Sequence, residues 1–182
     1  MRLFRAGRTA PVLAFIGMVG CLPSSAQSPA APVSPQGASW TDERGLAVDL
    51  ERYRGAPVVF TAFFTSCTVR CPLTISKLRE VDDAFHKRGS SVPIVLVTLD
   101  PHTDTTGRLL RFKEDRHLPD NWHLLRGGDE ETRAFARYLH VDPAYDSGHI
   151  DHEVRIDVFD AKGGLARSFA GWSFDPDGAV VQ

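Results

Sequence analysis

The run PVVFTAFFTSCTVRCPLT, Pro57 to Thr74, sets an unbroken apolar stretch directly before two cysteines with three residues between them. Pro57 to Phe64 is apolar, β-branched and aromatic, the pattern of a strand buried on both faces. From about Pro72 to Lys87 the apolar positions Leu73, Ile75, Leu78, Val81, Ala84 and Phe85 recur at helical spacing, and Gly89 closes the segment. Cys67 and Cys71 therefore stand where a buried strand hands over to a helix. With the helix beginning near Thr68, their i, i+4 spacing puts both sulfurs on one side. Unpaired N–H groups and the positive end of the helix dipole favour thiolate over thiol there. Arg70, between the two, is a candidate to lower the thiol pKa further.

Outward from this stretch the pattern repeats. VPIVLVTLD (Val92 to Asp100) is a second buried strand, and Asp104 to Leu118 follows as a helix with Asp104 as its N-cap. WHLLRG (Trp122 to Gly127) reads as a strand or a loop, and Asp129 to Leu139 as a helix opened by an aspartate. VDPAYDSGHID has the composition of a loop. HEVRIDVFD (His152 to Asp160) alternates Val154, Ile156 and Val158 inward as a half-buried strand, and Gly163-Gly164 turns it into an antiparallel partner, LARSFAG. Upstream, Ser39 to Leu50 forms a short hairpin turning at Glu43 to Gly45. Strands separated by helices imply parallel pairing through crossovers, and the last two strands form a hairpin. The expected fold class is α/β: a thioredoxin-like mixed β-sheet flanked by helices, with the cysteines at the strand edge where such sheets place chemistry.

The flanks fix the setting. Arg2, Arg5 and Arg8 followed by the apolar Pro11 to Leu22 and the small residues Ser24 to Ala26 make residues 1–26 an export signal. A second reading takes Met18 to Cys21 as a lipobox, with Cys21 acylated as a membrane tether. Residues 27–38, rich in Pro, Ser and Ala, form a linker, and 39–182 the folded domain. Both readings place the domain in the periplasm or another extracytoplasmic space. The formal net charge of −2 over 182 residues gives no reason to expect nucleic acid as partner. No apolar heptad argues for an obligate dimer, so a monomer is expected.

With Cys21 in the signal region, Cys67 and Cys71 are the two cysteines of the mature domain. A staple enclosing three residues removes little chain entropy, which leaves a redox couple or half of a metal site. Disulfide oxidoreductases of the thioredoxin type usually carry C-x-x-C, and the longer spacer here can close a disulfide or open around a metal. Two thiolates suit Cu(I), and an added imidazole makes a site usable by Cu(I) and Cu(II). Of seven histidines, His86, His102, His117, His123 and His140 fall on helices, helix ends or polar loops, as surface or capping residues. His149 and His152 lie in the loop that faces the cysteines in a thioredoxin-like layout. Three residues apart in extended backbone, they point to opposite faces, and His152 at the strand edge is the better candidate.

Together these features resemble the SCO/SenC family: C-x-x-x-C-P after an apolar strand, LDPHTDT with Asp100, Pro101, Asp104 and Thr105, and D-H at Asp151-His152 about eighty residues beyond the cysteines, before a strand and a D-x-x-G turn. The resemblance covers about Asp42 to Gly171. It implies that Cys67, Cys71 and His152 bind one copper ion. The implied partner is cytochrome c oxidase subunit II, whose binuclear copper centre would receive the copper or have its cysteines reduced, or another periplasmic copper or thiol client. Asp100 and Asp104 are assigned capping and site shaping, since hard carboxylates match Cu(I) poorly. The alternative reading is a thiol-disulfide oxidoreductase, with Cys67 attacking and Cys71 resolving. A third is a sensor or copper buffer. Thr68 and Arg70 depart from the family's usual proline and small apolar residue, Glu153 from its small hydroxyl or amide residue, and DPDGAVVQ leaves room for one helical turn at the end.

Overall fold

The computed structural model describes residues 39–146 and 149–181. The expected signal and linker, residues 1–38 with Cys21, lie outside them. In chain order the elements are β1 (Trp40–Asp42), β2 (Ala47–Val48), β3 (Val58–Phe63), α1 (Arg70–Lys87), β4 (Ile94–Thr98), α2 (Thr106–Asp115), β5 (Trp122–Arg126), α3 (Asp129–Tyr138), β6 (Ala144–Asp146), β7 (His149–Asp151), β8 (Arg155–Phe159) and β9 (Leu165–Ala170). Single 3-10 turns span Leu50–Tyr53 and Pro176–Ala179. Among these residues no helix is long and apolar enough to cross a membrane.

Seven strands form one mixed sheet in the order β2-β1-β5-β4-β3-β8-β9, and β6-β7 stand apart as a hairpin. The parallel centre follows from the two β-α-β crossovers: β3 pairs with β4 from Val59–Ile94 to Phe63–Thr98, and β4 with β5. β8 runs antiparallel to β3 and β9 to β8, while β1 closes the other side against β5. This is the thioredoxin-like mixed sheet expected from the element order.

Period-two alternation divides β3 between two cores. Val59 and Phe63 face α1 and α2, packing with Leu78, Val81, Phe85, Leu109 and Phe112. Val58, Phe60 and Ala62 face α3 and the Leu50–Tyr53 turn, packing with Leu50, Phe135 and Leu139. Helices therefore cover both faces, and β3 is buried along its whole length. The Pro176–Ala179 turn sets Ala179 fully buried in the α1 core, which is the short final element that the sequence left room for.

WHLLRG, readable as a strand or a loop, is a strand held between β4 and β1. Three other details differ from expectation. The stretch read as a loop, VDPAYDSGHID, contains the β6-β7 hairpin, in which Tyr145 pairs with Ile150. β8 is buried on both faces rather than half-buried: Asp157 is 1% exposed, its carboxylate accepting from the Ser168 hydroxyl at 2.5 Å. The helix caps also shift. Thr105, whose hydroxyl accepts from the Arg108 N–H, caps α2 in place of Asp104, and Gly128 precedes α3 with no side-chain cap.

Candidate metal and thiol centre

β3 ends at Phe63, and the chain crosses Phe64 to Val69 before α1 begins at Arg70. The N-cap position, Val69, makes no side-chain hydrogen bond; instead the Cys71 N–H donates to Cys67 Sγ at 3.2 Å. A sulfur thus serves an orphan donor of the first helical turn. The expected helix start near Thr68 lies two residues later in fact, so Cys67 sits just outside the helix and Cys71 just inside.

That offset separates the two thiols. Cys67 is half-buried and Cys71 is 3% exposed, and both are free. Burial opposes ionisation of Cys67, but hydrogen bonds from the Cys71 N–H and thiol and from the N–H groups of Val69 and Arg70 outweigh it and hold the thiol below its ordinary value. Burial pushes the Cys71 thiol far up, and the neighbouring Cys67 sulfur adds to the rise. The lowering at Cys67 comes from main-chain N–H groups, Arg70's own among them, and from the Cys71 thiol, and not from the Arg70 guanidinium that the sequence suggested. That guanidinium pairs with Asp151 Oδ1 at 2.7 Å and donates to the His152 carbonyl.

His152 follows β7 and is 5% exposed, with its ring edge-on to Phe64 at 5.9 Å. Its Nδ1 lies 2.8 Å from the Glu153 carbonyl oxygen, not against Asp151. A carbonyl only accepts, so in the neutral ring Nδ1 carries the proton and Nε2 the lone pair. Among the described residues that Nε2 is buried without a partner. Burial foremost, then the nearby Arg70 charge, keep the ring's pKa below 6.5, against the Glu153 carbonyl and Asp151, which raise it. Cys67, Arg70, Ile150, Asp151 and His152 line one groove of about 320 Å³. Cys71, buried, joins it through its N–H bond to Cys67 Sγ. A soft sulfur pair and a neutral imidazole with a free lone pair match a copper ion chemically. Among the described residues no three His, Cys, Asp or Glu side chains stand as a ready-made metal cluster.

Asp104 is fully buried. Its carboxylate accepts from the Thr65 N–H at 3.0 Å, from the Thr65 hydroxyl, and from the Thr98 hydroxyl at 2.5 Å. Arg108 lies 3.8 Å away and donates to Thr65 Oγ1 at 2.7 Å. The site-shaping role expected of Asp104 is what it performs: it fastens the cysteine loop to the end of β4. Asp100 accepts from the Thr103 N–H within the same turn. Thr65, Thr98 and Arg108 were not singled out from the sequence; the D-P-x-x-D-T run marked one partner of this network and gave no sign of the others.

The remaining histidines lie elsewhere. His86 contacts Asp82 on α1, and His102 pairs with Asp129 at 2.8 Å. His117 and His140 end helices in the left-handed region, at φ 47° and 54°. His123 packs against Tyr53. The ring of His149 lies outside the described residues. A larger groove of about 410 Å³ on the other side of the hairpin, lined by Asp100, His102, Asp129 and Tyr145, contains none of the three expected ligands.

A family model described as SCO1/SenC matches residues 35–180. An SCO2-like protein of Rickettsia conorii is 23% identical over 133 residues, covering 70% of this chain and 65% of that protein, so the match spans just under two thirds of this relative's length. Among solved structures, Arabidopsis thaliana ScoI with copper bound aligns with a TM-score of 0.67 at 23% identity, over 77% of this chain and 89% of that one. BsSco, a member of the Sco family of cytochrome c oxidase assembly proteins in which a disulfide switch was identified, aligns with a TM-score of 0.64 at 22% identity, over 75% and 82%. These structural likenesses establish a common fold.

Proposed function

The chain belongs to the SCO1/SenC family, and from that premise we propose that it is an extracytoplasmic copper chaperone for cytochrome c oxidase assembly. Cys67, Cys71 and His152 hold one copper ion as cargo and pass it by ligand exchange to the cysteines of the binuclear copper centre in oxidase subunit II. The observation that carries the reading is the buried, unpartnered Nε2 of His152 beside the groove that Cys67 lines. A buried lone pair without a donor is costly to maintain and gains most from a metal. The Cys67 thiol is held below its ordinary value and the Cys71 thiol far above it, so a metal that takes both sulfurs displaces protons, and uptake strengthens with pH.

Residues 1–26 direct export, cleaved either before Gln27 or before Cys21, which then becomes the acylated first residue at the membrane, and residues 27–38 tether a monomeric domain. The mass of the mature N-terminus separates the two. For the copper site, the reduced domain and its His152→Ala variant are titrated with copper while sulfur-to-copper charge-transfer absorption is followed. One equivalent bound with a Cu(II)–thiolate band in the parent, and loss of that band in the variant, is expected. No uptake by the parent, or equal binding by both, overturns the reading.

The inequality of the two thiols favours a second reading, a thiol-disulfide oxidoreductase. The Cys67 thiolate attacks a client disulfide and releases one client thiolate. Cys71 then passes its proton to the released client thiolate and attacks the mixed disulfide, releasing the second client thiolate and leaving a Cys67–Cys71 disulfide, so two electrons pass to the client. A Cys71→Ser variant would accumulate the mixed disulfide; absence of any exchange with thiol partners removes this reading.

A further inference from the structure

We propose that Arg70 is a positioning residue for the copper site: a clamp across the groove that holds the His152 segment against the helix carrying Cys71. The inference rests on the reading of the groove as a copper site.

Arg70 opens α1 between the two cysteines. Its guanidinium crosses the groove, lies 2.7 Å from Asp151 Oδ1, and donates from the same nitrogen to the main-chain carbonyl of His152. The planar, multi-donor head of arginine suits this double contact. The clamp matters because of where His152 sits. It follows the β6-β7 hairpin, which has no strand pairing with the main sheet. The ring's own hydrogen bond, to the Glu153 carbonyl, is local and fixes the tautomer without fixing the segment's distance from α1. Arg70 supplies the tie from the cysteine side, and it engages a carbonyl and a carboxylate next to the ring rather than the ring itself, so Nε2 stays free.

The two oxidation states of copper depend on such a clamp unequally. Two thiolates satisfy Cu(I), whereas Cu(II) draws on the imidazole as well. Releasing His152 therefore weakens Cu(II) binding more than Cu(I). Pure electrostatics has the opposite sign, because removing a cation from beside a metal site strengthens binding, more so for the doubly charged ion. The direction of the change separates positioning from charge.

The test uses the reduced domain and its Arg70→Ala and Arg70→Lys variants. The Arg70 side chain is 44% exposed, so both variants are expected to fold, which thermal melting checks. In Arg70→Ala, Cu(II) affinity falls about tenfold, the scale of losing an outer partner of a metal ligand, while Cu(I) affinity stays within about threefold. Without copper, amide hydrogen exchange at Ile150 to Glu153 accelerates in the same variant. Arg70→Lys, with the charge but a single ammonium on a shorter stem, recovers only part of each effect. Unchanged exchange, an unchanged or raised Cu(II) affinity, equal losses for both ions, or full recovery of affinity by Arg70→Lys while its exchange stays fast overturns the clamp. A parent domain that binds no copper ends the copper reading instead, and the exchange comparison still decides the clamp.

Discussion

At the scale of single residues the centre is defined by inequality. Cys67 and Cys71 share one segment, yet main-chain N–H groups converge on the first sulfur and apolar packing encloses the second. Cys67 is therefore expected to react with iodoacetamide near neutral pH at least about tenfold faster than Cys71, since thiolate fraction and exposure both favour it. Peptide mass mapping after brief labelling would show this, and equal labelling would contradict the assigned environments. His152 owes its form to one hydrogen bond: the Glu153 carbonyl places the proton on Nδ1 and leaves Nε2 as donor atom. Any residue at 153 supplies that carbonyl, so the Glu153 side chain, which departs from the family's usual residue, is dispensable here. The tautomer follows from the backbone path and not from the side chain at that position.

At the scale of elements, the site is a junction of β3, β4 and α2 tied by one carboxylate. Asp104 was expected to open α2 as its N-cap, but the helix starts two residues later, Thr105 takes that duty, and Asp104 turns inward to Thr65 and Thr98. Replacing Asp104 with Ala strands the Thr65 N–H and the Thr98 hydroxyl in a buried setting. The expected cost is about 3 kcal/mol, from losing charge-assisted hydrogen bonds and leaving buried donors unpaired. Urea denaturation measures it, and copper uptake should weaken as the cysteine loop loosens. Thr105→Ala, by contrast, removes only a cap and costs about 1 kcal/mol. A larger loss for Thr105→Ala than for Asp104→Ala would reverse these roles. The β6-β7 hairpin belongs to this scale too. Its three-residue strands are too short for period-two patterning to show, and Pro143 and Asp146 gave the stretch the composition of a loop.

At the scale of the whole molecule, two cores lie on either side of one sheet, and titratable groups are set within them. His123 and His152 both have pKa values held below 6.5, by burial first in each case. For a histidine the lowered folded-state value means that its neutral form fits the fold. Stability is then full above pH 6.5, where neither state is protonated. As pH falls below 6.5 the unfolded chain takes up protons that the folded chain does not, and stability declines until pH passes the lowered folded-state values. Urea midpoints are therefore expected to fall between pH 7.5 and 5.5, and His123→Gln to flatten part of that fall; a midpoint that rises over this interval would contradict it. Asp157, whose pKa burial raises above 3.8, acts in the opposite sense at lower pH. The sequence alone was enough for the sheet's parallel centre, the helices on both faces, the terminal hairpin, and the position of Cys67 and Cys71 at the end of a buried strand. These are written in local periodicity, because a residue's burial in a strand or helix repeats at the period of the element. Only the tertiary structure decided that Arg70 pairs with Asp151 and His152, that Asp104 binds Thr65 and Thr98, and that the lowered pKa of Cys67 comes from main-chain N–H groups and the Cys71 thiol. Those partnerships join residues up to 82 positions apart, and a polar side chain's choice among distant partners depends on which backbone groups the fold leaves unpaired beside it, which no local pattern records.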